Sequence, residues 1–328
     1  MSSATGLIDA VAAANKAGNI AIVLTEGVYQ LDTALRISAD HIVLESFGQD
    51  PKKVTLRGRG MREGAGNLIT VSGRSVRLSG LTLEQAGNHL VQLRGEADAD
   101  FFTMTRCILR DSWEQLFKVS KRPGEPIAAD GGTLQSNLFE YSERFGPQYY
   151  IGGVDMHGGS GWEIVGNTFR NIASPAERQA EHAIHLWRGS ADNVVRNNLI
   201  INSDRGIGFG LTADQGSGNY GGVIEGNVIL HYRSDDPFSD VGISLESSPR
   251  TLVTNNMISL AHSYPNAIEY RFEETRDVRI IGNHSNKAIA SRDGGQATLS
   301  ANTTGSYWVH ALDLFVYFQT RITAFLTN

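Results

Sequence analysis

The stretch EIVGNTF at 163–169 is followed 31 residues later by VVRNNLI at 194–200. Each stretch contains a short apolar-periodic segment, an asparagine and a second apolar segment. Short strands that recur at a fixed period near 30 residues predict a solenoid. The motif TMTRCIL puts Cys107 at the same position of an earlier copy. The asparagines of the later copies are Asn137, Asn167, Asn198, Asn227, Asn256 and Asn283.

A second strand is present in each copy, and its apolar residues alternate with polar ones. HAIHLW at 182–187 and VGISLE at 241–246 are examples. A period of two predicts β-strands with one buried face, and hence an all-β, single-stranded, right-handed parallel β-helix. We expect the recurring asparagine in a turn, where it tolerates unusual backbone angles and its stacked amides hydrogen-bond along the axis. A seven-bladed propeller is the structural alternative, although its blades need about 40 residues or more.

The chain is predicted to form a single β-helix domain over residues 1–328. Solenoids need covered ends. We therefore expect an N-terminal helical cap at 1–18, β-helix coils at 19–305 and an apolar C-terminal cap at 306–328. A hydrophobic fraction of 41% with 20% charged residues suits a large globular domain.

Composition limits the function classes. Twenty-nine basic against 35 acidic residues give a net charge of −6, without a long basic run, so nucleic acid is not an expected partner. Cys107 is the single cysteine, which excludes an intrachain disulfide and a cysteine-based zinc site. The apolar tail carries charges that argue against a membrane segment. Residues 1–16 do not resemble a signal peptide, so we expect a secreted or periplasmic protein if a leader has been removed, and otherwise a cytoplasmic one. The oligomeric state stays open.

The repeat, the initial helix and two longer phrases resemble the pectate-lyase-like superfamily of right-handed β-helix proteins. The phrases are VDMHGGSGWEIVGNTFRNI at 154–172 and DRGIGFGL at 204–211. The resemblance covers residues 20 to 300, approximately, and implies the β-helix fold. It implies an activity among polysaccharide lyases, glycoside hydrolases, epimerases and tailspikes, but carries no motif that assigns catalytic residues.

Stacking of coils about 4.8 Å apart would align outward residues of the second strand. Lys118, Asp155, His157, His185 and Trp187 are then expected to cluster on three consecutive coils. The next coil has Gly208 and Gly210 outward, which predicts a hollow where a ligand approaches the backbone. We expect sugar binding by aromatic and charged residues around this hollow. The predicted substrate-binding residues are Trp187, Tyr149, Tyr150, Gly208, Gly210, Glu246, Glu269 and Arg271.

In the turn before the second strand, three residues ahead of its first apolar position, Glu181, Asp204 and Asp240 occupy equivalent places on consecutive coils. We call these positions the turn column. Carboxylates at steps of about 5 Å repel one another unless something compensates them. Three compensations stay open: a Ca²⁺ ion bound by the three carboxylates, one carboxyl kept protonated as an acid, or neutralisation by Arg205 and His182. The expectation is therefore either no cofactor or Ca²⁺.

The mixture of cations, histidines and carboxylates favours a polysaccharide lyase, or a C5-epimerase, acting on a uronate-containing glycan. Such a lyase needs a cation for the uronate carboxylate, a base that abstracts a proton and an acid for β-elimination. We predict His185 or Lys118 as the base, Arg205 or Arg271 as the clamp and Trp187 as a sugar platform. The predicted catalytic residues are Lys118, Asp155, His157, His185, Arg205, Asp204 and Asp240.

Other functions remain open at this stage. An inverting glycoside hydrolase would use Asp204, Asp240 and Glu181, since two carboxyl groups about 6.5–9.5 Å apart can activate a water. A non-catalytic β-helix would only bind glycan. A weaker hypothesis is a transition-metal site at His157, His182 and His185, for which His182 would have to lie in the turn.

Overall fold

A computed structural model describes residues 3–213, 216 and 218–305, and these form a right-handed parallel β-helix of three long sheets. Every long-sheet pairing is parallel and joins one coil to the next. The prediction of an all-β solenoid is confirmed. Two single-turn 3₁₀ helices interrupt it at Phe47–Gln49 and Gly95–Ala97, and a small sheet pairs Ser190–Ala191 with Asn219–Tyr220.

The three sheets share the strands of each coil in turn. The first sheet consists of Ala21–Leu24, Val43–Ser46, Arg77–Ser79, Thr103–Thr105, Thr133–Gln135, Glu163–Val165, Val194–Arg196, Val223–Glu225, Leu252–Thr254, Val278–Ile281 and Ala297–Ser300. The second consists of Gly27–Gln30, Val54–Arg57, Thr82–Ala86, Ile108–Ser112, Leu138–Glu140, Thr168–Arg170, Leu199–Ile201, Val228–His231, Met257–Leu260, His284–Ser285 and Thr303–Thr304. The third consists of Leu35–Ile37, Ile69–Val71, Val91–Arg94, Phe117–Ser120, Val154–His157, His182–Trp187, Arg205–Phe209, Ile243–Glu246, Asn266–Arg271 and Ala288–Arg292.

The third sheet follows the alternation read from the sequence. Val154 pairs with Ile184, and Ile184 with Ile207, and all three side chains are buried in the core. In a strand the residues between them must point to the opposite side. Because alternate residues of each strand are apolar and buried, they determine how neighbouring coils align. The polar residues between them lie on the outer face.

The N-terminal cap is the helix Ala4–Ala17, as predicted. The Ser3 hydroxyl accepts the backbone N–H of Gly6 and begins the helix, while Leu7, Val11 and Ala14 bury one face. The predicted C-terminal cap at 306–328 lies outside the described residues. Over the residues that are described, the chain has no helix of sufficient length and hydropathy for a membrane span.

The recurring asparagines form the amide ladder that the repeat predicts. The Asn167 side-chain N–H donates to the Asn198 Oδ1 at 3.0 Å, and the Asn198 N–H donates in turn to Asn227 at 3.0 Å. The ladder continues to Asn302. The residue before each ladder asparagine has the left-handed backbone conformation, for example Asn197 with φ 55°. The expectation that the recurring asparagine itself adopts the unusual backbone angles is therefore wrong. The ladder residue must be Asn because its side chain, rather than its φ angle, joins the coils.

Candidate functional site

The outer face of the third sheet brings the predicted cluster together. Lys118 pairs with Asp155, Asp155 with His185, and His157 with Trp187 on neighbouring strands. Lys118, Asp155 and His185 come from three consecutive coils, 37 and 30 residues apart in sequence, and the alignment of the buried apolar residues places them side by side. The predicted juxtaposition is confirmed.

Asp155 is the centre of this cluster. Its Oδ2 accepts a hydrogen bond from the Lys118 ammonium, and its Oδ1 accepts the indole N–H of Trp187 at 2.7 Å. The Lys118 Nζ also lies 2.8 Å from the His157 Nε2. Lys118 is 7% exposed and Asp155 is 3% exposed. A buried, charge-assisted network of this kind is costly to form unless each charge has a partner.

The charges of the cluster set its protonation states. Burial alone would raise the pKa of Asp155, but the Lys118 ammonium and the two neighbouring histidines lower it well below its usual range. Burial lowers the pKa of His157 to about 3, against the opposing effect of Asp155. At neutral pH the arrangement is therefore a carboxylate and a neutral imidazole around one lysine. The neutral His157 Nε2 accepts from the Lys118 ammonium.

His185 is enclosed by protein rather than open to a substrate. It is 1% exposed, and its ring stacks on the Trp187 indole with centroids 5.3 Å apart. Its Nε2–H donates to the Gly210 carbonyl at 2.9 Å, while its Nδ1 lies 3.4 Å from the Glu181 Oε2. Both ring nitrogens face protein groups, so this geometry does not place His185 as the base that the sequence suggested.

The expected hollow over Gly208 and Gly210 is wrong. The His182 ring fills the space, since a Cβ added to Gly208 would lie 2.6 Å from its Cε1 and Nε2 atoms. A Cβ on Gly210 would collide with the Glu246 carbonyl oxygen. His182 lies at the start of its strand with its ring turned outward, and its Nε2 is 2.9 Å from the Ser244 hydroxyl. The glycines accommodate protein packing rather than an open ligand site.

The three carboxylates of the turn column do not converge on a common point. The Asp204 Oδ2 accepts hydrogen bonds from the backbone N–H groups of Ser174 and Ala180 at 2.9 Å each. These bonds fix the loop that precedes the strand His182–Trp187. Asp240 accepts from a glutamine of the same loop at 3.3 Å. Burial raises the pKa of Asp204 to about 6 and also raises the pKa of Asp240. The predicted calcium triad with Glu181 is therefore not formed by these contacts.

Glu181 and Arg205 pair with each other instead. The Arg205 Nη2 donates to the Glu181 Oε2 at 3.3 Å, and its Nε donates to the Ala180 carbonyl at 2.9 Å. This is the Arg205 part of the neutralisation that was one of the three open alternatives; His182 takes no part in it, because burial lowers its pKa well below the usual value. Arg205 is therefore occupied by protein acceptors, which does not favour its predicted role as a carboxylate clamp.

The predicted acidic residues further along are also paired with cations. Arg271 donates to Glu246 at 2.7 Å and to Asp293 at 2.8 Å. Glu269 accepts from Arg292 at 3.0 Å and from the Tyr264 hydroxyl. Burial raises the pKa of Glu246, and Arg271 opposes that change. These pairs form a charge ladder on the sheet, and all three carboxylates have a cationic partner, which leaves no unpaired carboxyl couple for hydrolysis among them.

The aromatic residues divide into one open and two engaged rings. Tyr150 is 40% exposed beside the cluster, and burial together with the charge of Asp155 raises its pKa. Tyr149 lies under the Arg178 guanidinium, 4.4 Å from its ring centre. Trp187 carries the Arg188 guanidinium at 4.8 Å, in addition to its contact with His185. Tyr150 is thus the most open of the three rings, whereas Trp187 mainly supports the network.

A basic cleft of about 490 Å³ precedes the cluster on the same sheet and was missed in the sequence. Its walls include Arg36, Arg59, Arg94 and Gln92. Gln92 pairs directly with Lys118, so the cleft ends one coil before the cluster. Arg36 and Arg59 belong to coils that precede the asparagine repeat, where no sequence signal aligned them with the later columns.

One group of candidate metal ligands is present in the described part of the chain. A ligand atom from each of Glu181, His182 and His185 lies within 4.8 Å of the other two. His157, the third histidine of the sequence hypothesis, is not a member of this group.

Comparisons with known proteins agree with the architecture. The chain has 15% identity and a TM-score of 0.64 to an alginate lyase from Paenibacillus sp. str. FPU-7, covering 93% of this chain and 98% of that one. PfbA, a surface adhesin of Streptococcus pneumoniae, gives 14% identity and 0.59 over 92% and 89%. Pectate lyase Pel9A gives 12% identity and 0.52 over 90% and 70%. At these identities the likeness is one of fold, and a comparison with curated proteins finds no match.

The family comparison covers most of the coils. The family described as "Right handed beta helix region" matches residues 91–304, which contain every strand of the amide ladder and of the Lys118 cluster. The fold is thus that of the pectate-lyase-like proteins. On this match, over more than half of its length, the chain belongs to the right-handed β-helix family.

Proposed function

We propose that this protein is a polysaccharide lyase acting on a glycan that contains uronate residues. The observation that carries the proposal is the hydrogen-bonded cluster of Lys118, Asp155 and His157 on the outer face of the sheet. It combines a cation with a neutral imidazole, which are the groups that β-elimination beside a carboxylate requires. The fold likeness to an alginate lyase and a pectate lyase supports the same class of reaction.

In this proposal Lys118 faces the uronate carboxylate and stabilises the negative charge that develops beside it. When Lys118 turns to the uronate carboxylate, the His157 Nε2 that it contacted is free to accept the proton from the sugar carbon, and Tyr150 donates a proton to the leaving oxygen as the C–O bond breaks. Burial and the charge of Asp155 raise the pKa of Tyr150, so its hydroxyl is protonated at neutral pH and carries the proton that this step needs. A bound carboxylate would favour the imidazolium form and raise the pKa of His157 from about 3 towards the working pH.

Asp155 acts on the reaction through Lys118. Its carboxylate holds the ammonium in place and is held in turn by the Trp187 indole N–H at 2.7 Å. Trp187 also packs edge-to-face on His157, with ring centroids 4.6 Å apart. The fixed indole therefore orients both the carboxylate and the imidazole, which is the preorganisation that acid–base catalysis needs.

The experiment is a turnover assay on alginate, pectate and glycosaminoglycans that follows the ultraviolet absorbance of the unsaturated product. His157→Gln is expected to lower kcat at least about 100-fold, the usual contribution of a general base. His284→Ala is the matched control, because His284 is an exposed histidine on the second sheet. Absence of unsaturated product from the whole panel would contradict the proposal.

A non-catalytic glycan-binding function is the second candidate, and the basic cleft favours it. Arg36, Arg59 and Arg94 suit carboxylate or sulfate groups, and PfbA shows that the fold occurs in a surface adhesin. If the protein only binds glycan, it should bind acidic oligosaccharides without forming a product, and Arg36→Ala should weaken that binding. Because polymeric glycans occur outside the cytoplasm, we propose a secreted or periplasmic location for either function, and cell fractionation would test it.

A further inference from the structure

We infer that Glu181, His182 and His185 form a binding site for a divalent transition metal, and we propose Zn²⁺ as its occupant. The site adjoins the Lys118 cluster, because His185 pairs with Asp155 on the neighbouring strand and stacks on Trp187, but the inference does not depend on lyase activity. It rests on three observations: the convergence of the ligand atoms, the hydrogen bonds that hold the two imidazoles, and the buried ring nitrogens that have no hydrogen-bond partner.

The local backbone brings the three residues together. Glu181 precedes the strand His182–Trp187, and His182 lies at its first position. Residues three apart on a regular strand point to opposite faces, yet the rings of His182 and His185 lie 4.6 Å apart. The turn into the strand therefore rotates His182 to the outer side, and the ligand atoms of all three residues fall within 4.8 Å of one another.

Hydrogen bonds fix the orientation and tautomer of His185. Its Nε2 lies 2.9 Å from the Gly210 carbonyl, which can only accept, so Nε2 carries the proton. The Nδ1 of the neutral ring then presents a lone pair. Metal-bound histidines commonly donate their second N–H to a backbone carbonyl in this way.

His182 has a corresponding arrangement. Its Nε2 lies 2.9 Å from the Ser244 hydroxyl, whose oxygen can accept a hydrogen bond from the ring N–H. Both imidazoles are 1% exposed, and the Nδ1 atoms of both are buried without a hydrogen-bond partner. Buried polar atoms without partners are uncommon and need an explanation. A shared cation would satisfy both nitrogens.

The Glu181 carboxylate completes the site. Its Oε2 lies 3.4 Å from the His185 Nδ1, so either a proton on that nitrogen or a bound cation must offset the repulsion between the carboxylate oxygen and the ring nitrogen. The Glu181 side chain is 25% exposed, which leaves the site accessible from one side. Two imidazoles and one carboxylate with an open position are a ligand set that Zn²⁺ takes.

Arg205 competes with a metal for the same carboxylate. Its Nη2 lies 3.3 Å from the Glu181 Oε2 and supplies one positive charge to the site. Like charges repel, so removing Arg205 should favour the divalent ion. A cation other than Zn²⁺ is less suited, because Mg²⁺ and Ca²⁺ prefer oxygen ligands.

The test is calorimetric titration of the chelator-treated full chain with Zn²⁺, together with metal analysis of the dialysed complex. We expect one Zn²⁺ per chain and a higher Tm in the presence of the metal. Glu181→Gln should weaken binding at least tenfold, and His182→Ala should abolish it. Arg205→Gln should tighten it. Glu181→Gln is nearly isosteric at a part-exposed position, so its fold can be verified by the unchanged Tm of the metal-free protein.

His262→Ala is the matched control, since His262 is another buried histidine with unpartnered ring nitrogens. It should bind Zn²⁺ like the wild type. Absence of stoichiometric Zn²⁺ would overturn the inference, and the gap between Glu181 and His185 would then be explained by a proton on Nδ1. Equal binding by wild type and Glu181→Gln, or loss of binding in His262→Ala, would overturn it as well.

Discussion

Replacing Lys118 by Met tests the electrostatic account of the cluster. Met keeps much of the aliphatic stem but removes the ammonium from the Asp155 carboxylate, whose side chain is 4% exposed. The Trp187 indole N–H at 2.7 Å then remains as its close donor. Removing one member of a buried ion pair costs about 3–5 kcal/mol, and we expect the free energy of unfolding at pH 7 to fall by that amount.

The pH dependence follows from the pKa of Asp155. In the wild type this pKa is depressed, so the pairing stabilises the fold above about pH 3.9, the usual value of an unfolded Asp, and is lost only as the pH falls through the lower folded value. Without Lys118, burial raises the pKa of Asp155 above its unfolded value. The stability difference between the two proteins should therefore narrow by about 1–2 kcal/mol from pH 7 to pH 3.

Urea unfolding followed by tryptophan fluorescence measures both quantities. Lys118→Met combined with Asp155→Asn should recover at least about 1 kcal/mol of the loss, because the uncompensated charge is gone. Arg122→Met, which breaks an exposed pair with Glu125, is the control and should have little effect. A loss below about 1 kcal/mol for Lys118→Met, the range of surface pairs, would refute the reasoning. So would a loss that is equal at pH 7 and pH 3.

Three further predictions concern stability and catalysis. Asn198→Ala leaves buried partners of the ladder without hydrogen bonds and should lower the free energy of unfolding in urea by about 2–5 kcal/mol. Asn302→Ala, at the part-exposed end of the ladder, should lower it by about 1 kcal/mol, and equal losses for the two variants would contradict the ladder's role. The pKa of Asp204 in the folded protein, about 6, lies above its unfolded value, so the stability of the wild type falls as the pH rises through 6. Asp204→Asn removes the charge and should therefore stabilise the protein by about 1–2 kcal/mol at pH 8 but not at pH 3, and activity should be retained. Tyr150→Phe should lower lyase kcat at least about 100-fold in the absorbance assay while sparing substrate binding, and unchanged turnover would remove Tyr150 from the mechanism.

The alignment of neighbouring coils could be predicted from the sequence, because it is determined by the alternating apolar residues that are buried in the core. A shift of one residue would turn Val154 and Ile184 outward and Asp155 inward, which the core does not tolerate. The juxtaposition of Lys118, Asp155 and His157 follows directly from that constraint. The same argument explains why the asparagine ladder was predicted correctly in its stacking.

Contacts made by turns and loops could not be predicted in this way. Strand alternation does not specify how the chain enters a strand, so the His182 ring over Gly208 was not foreseen. The partners of Asp204 are backbone N–H groups at the other end of a loop, and they have no signature in the side-chain pattern. The open hollow and the carboxylate triad were therefore predicted where the structure has packed contacts.

The asparagine ladder also has an electrical direction. From Asn137 to Asn283 one N–H of each side-chain amide donates to the next asparagine of the ladder, and the other donates to a backbone carbonyl of the preceding coil. Every amide-to-amide bond therefore runs in the same direction along the axis, with the accepting oxygens facing the earlier coils. Aligned hydrogen bonds polarise one another, so each link is strengthened by those on both sides. The solenoid thus contains a polar column inside its apolar interior, and its two ends are electrostatically unlike although its coils are nearly alike.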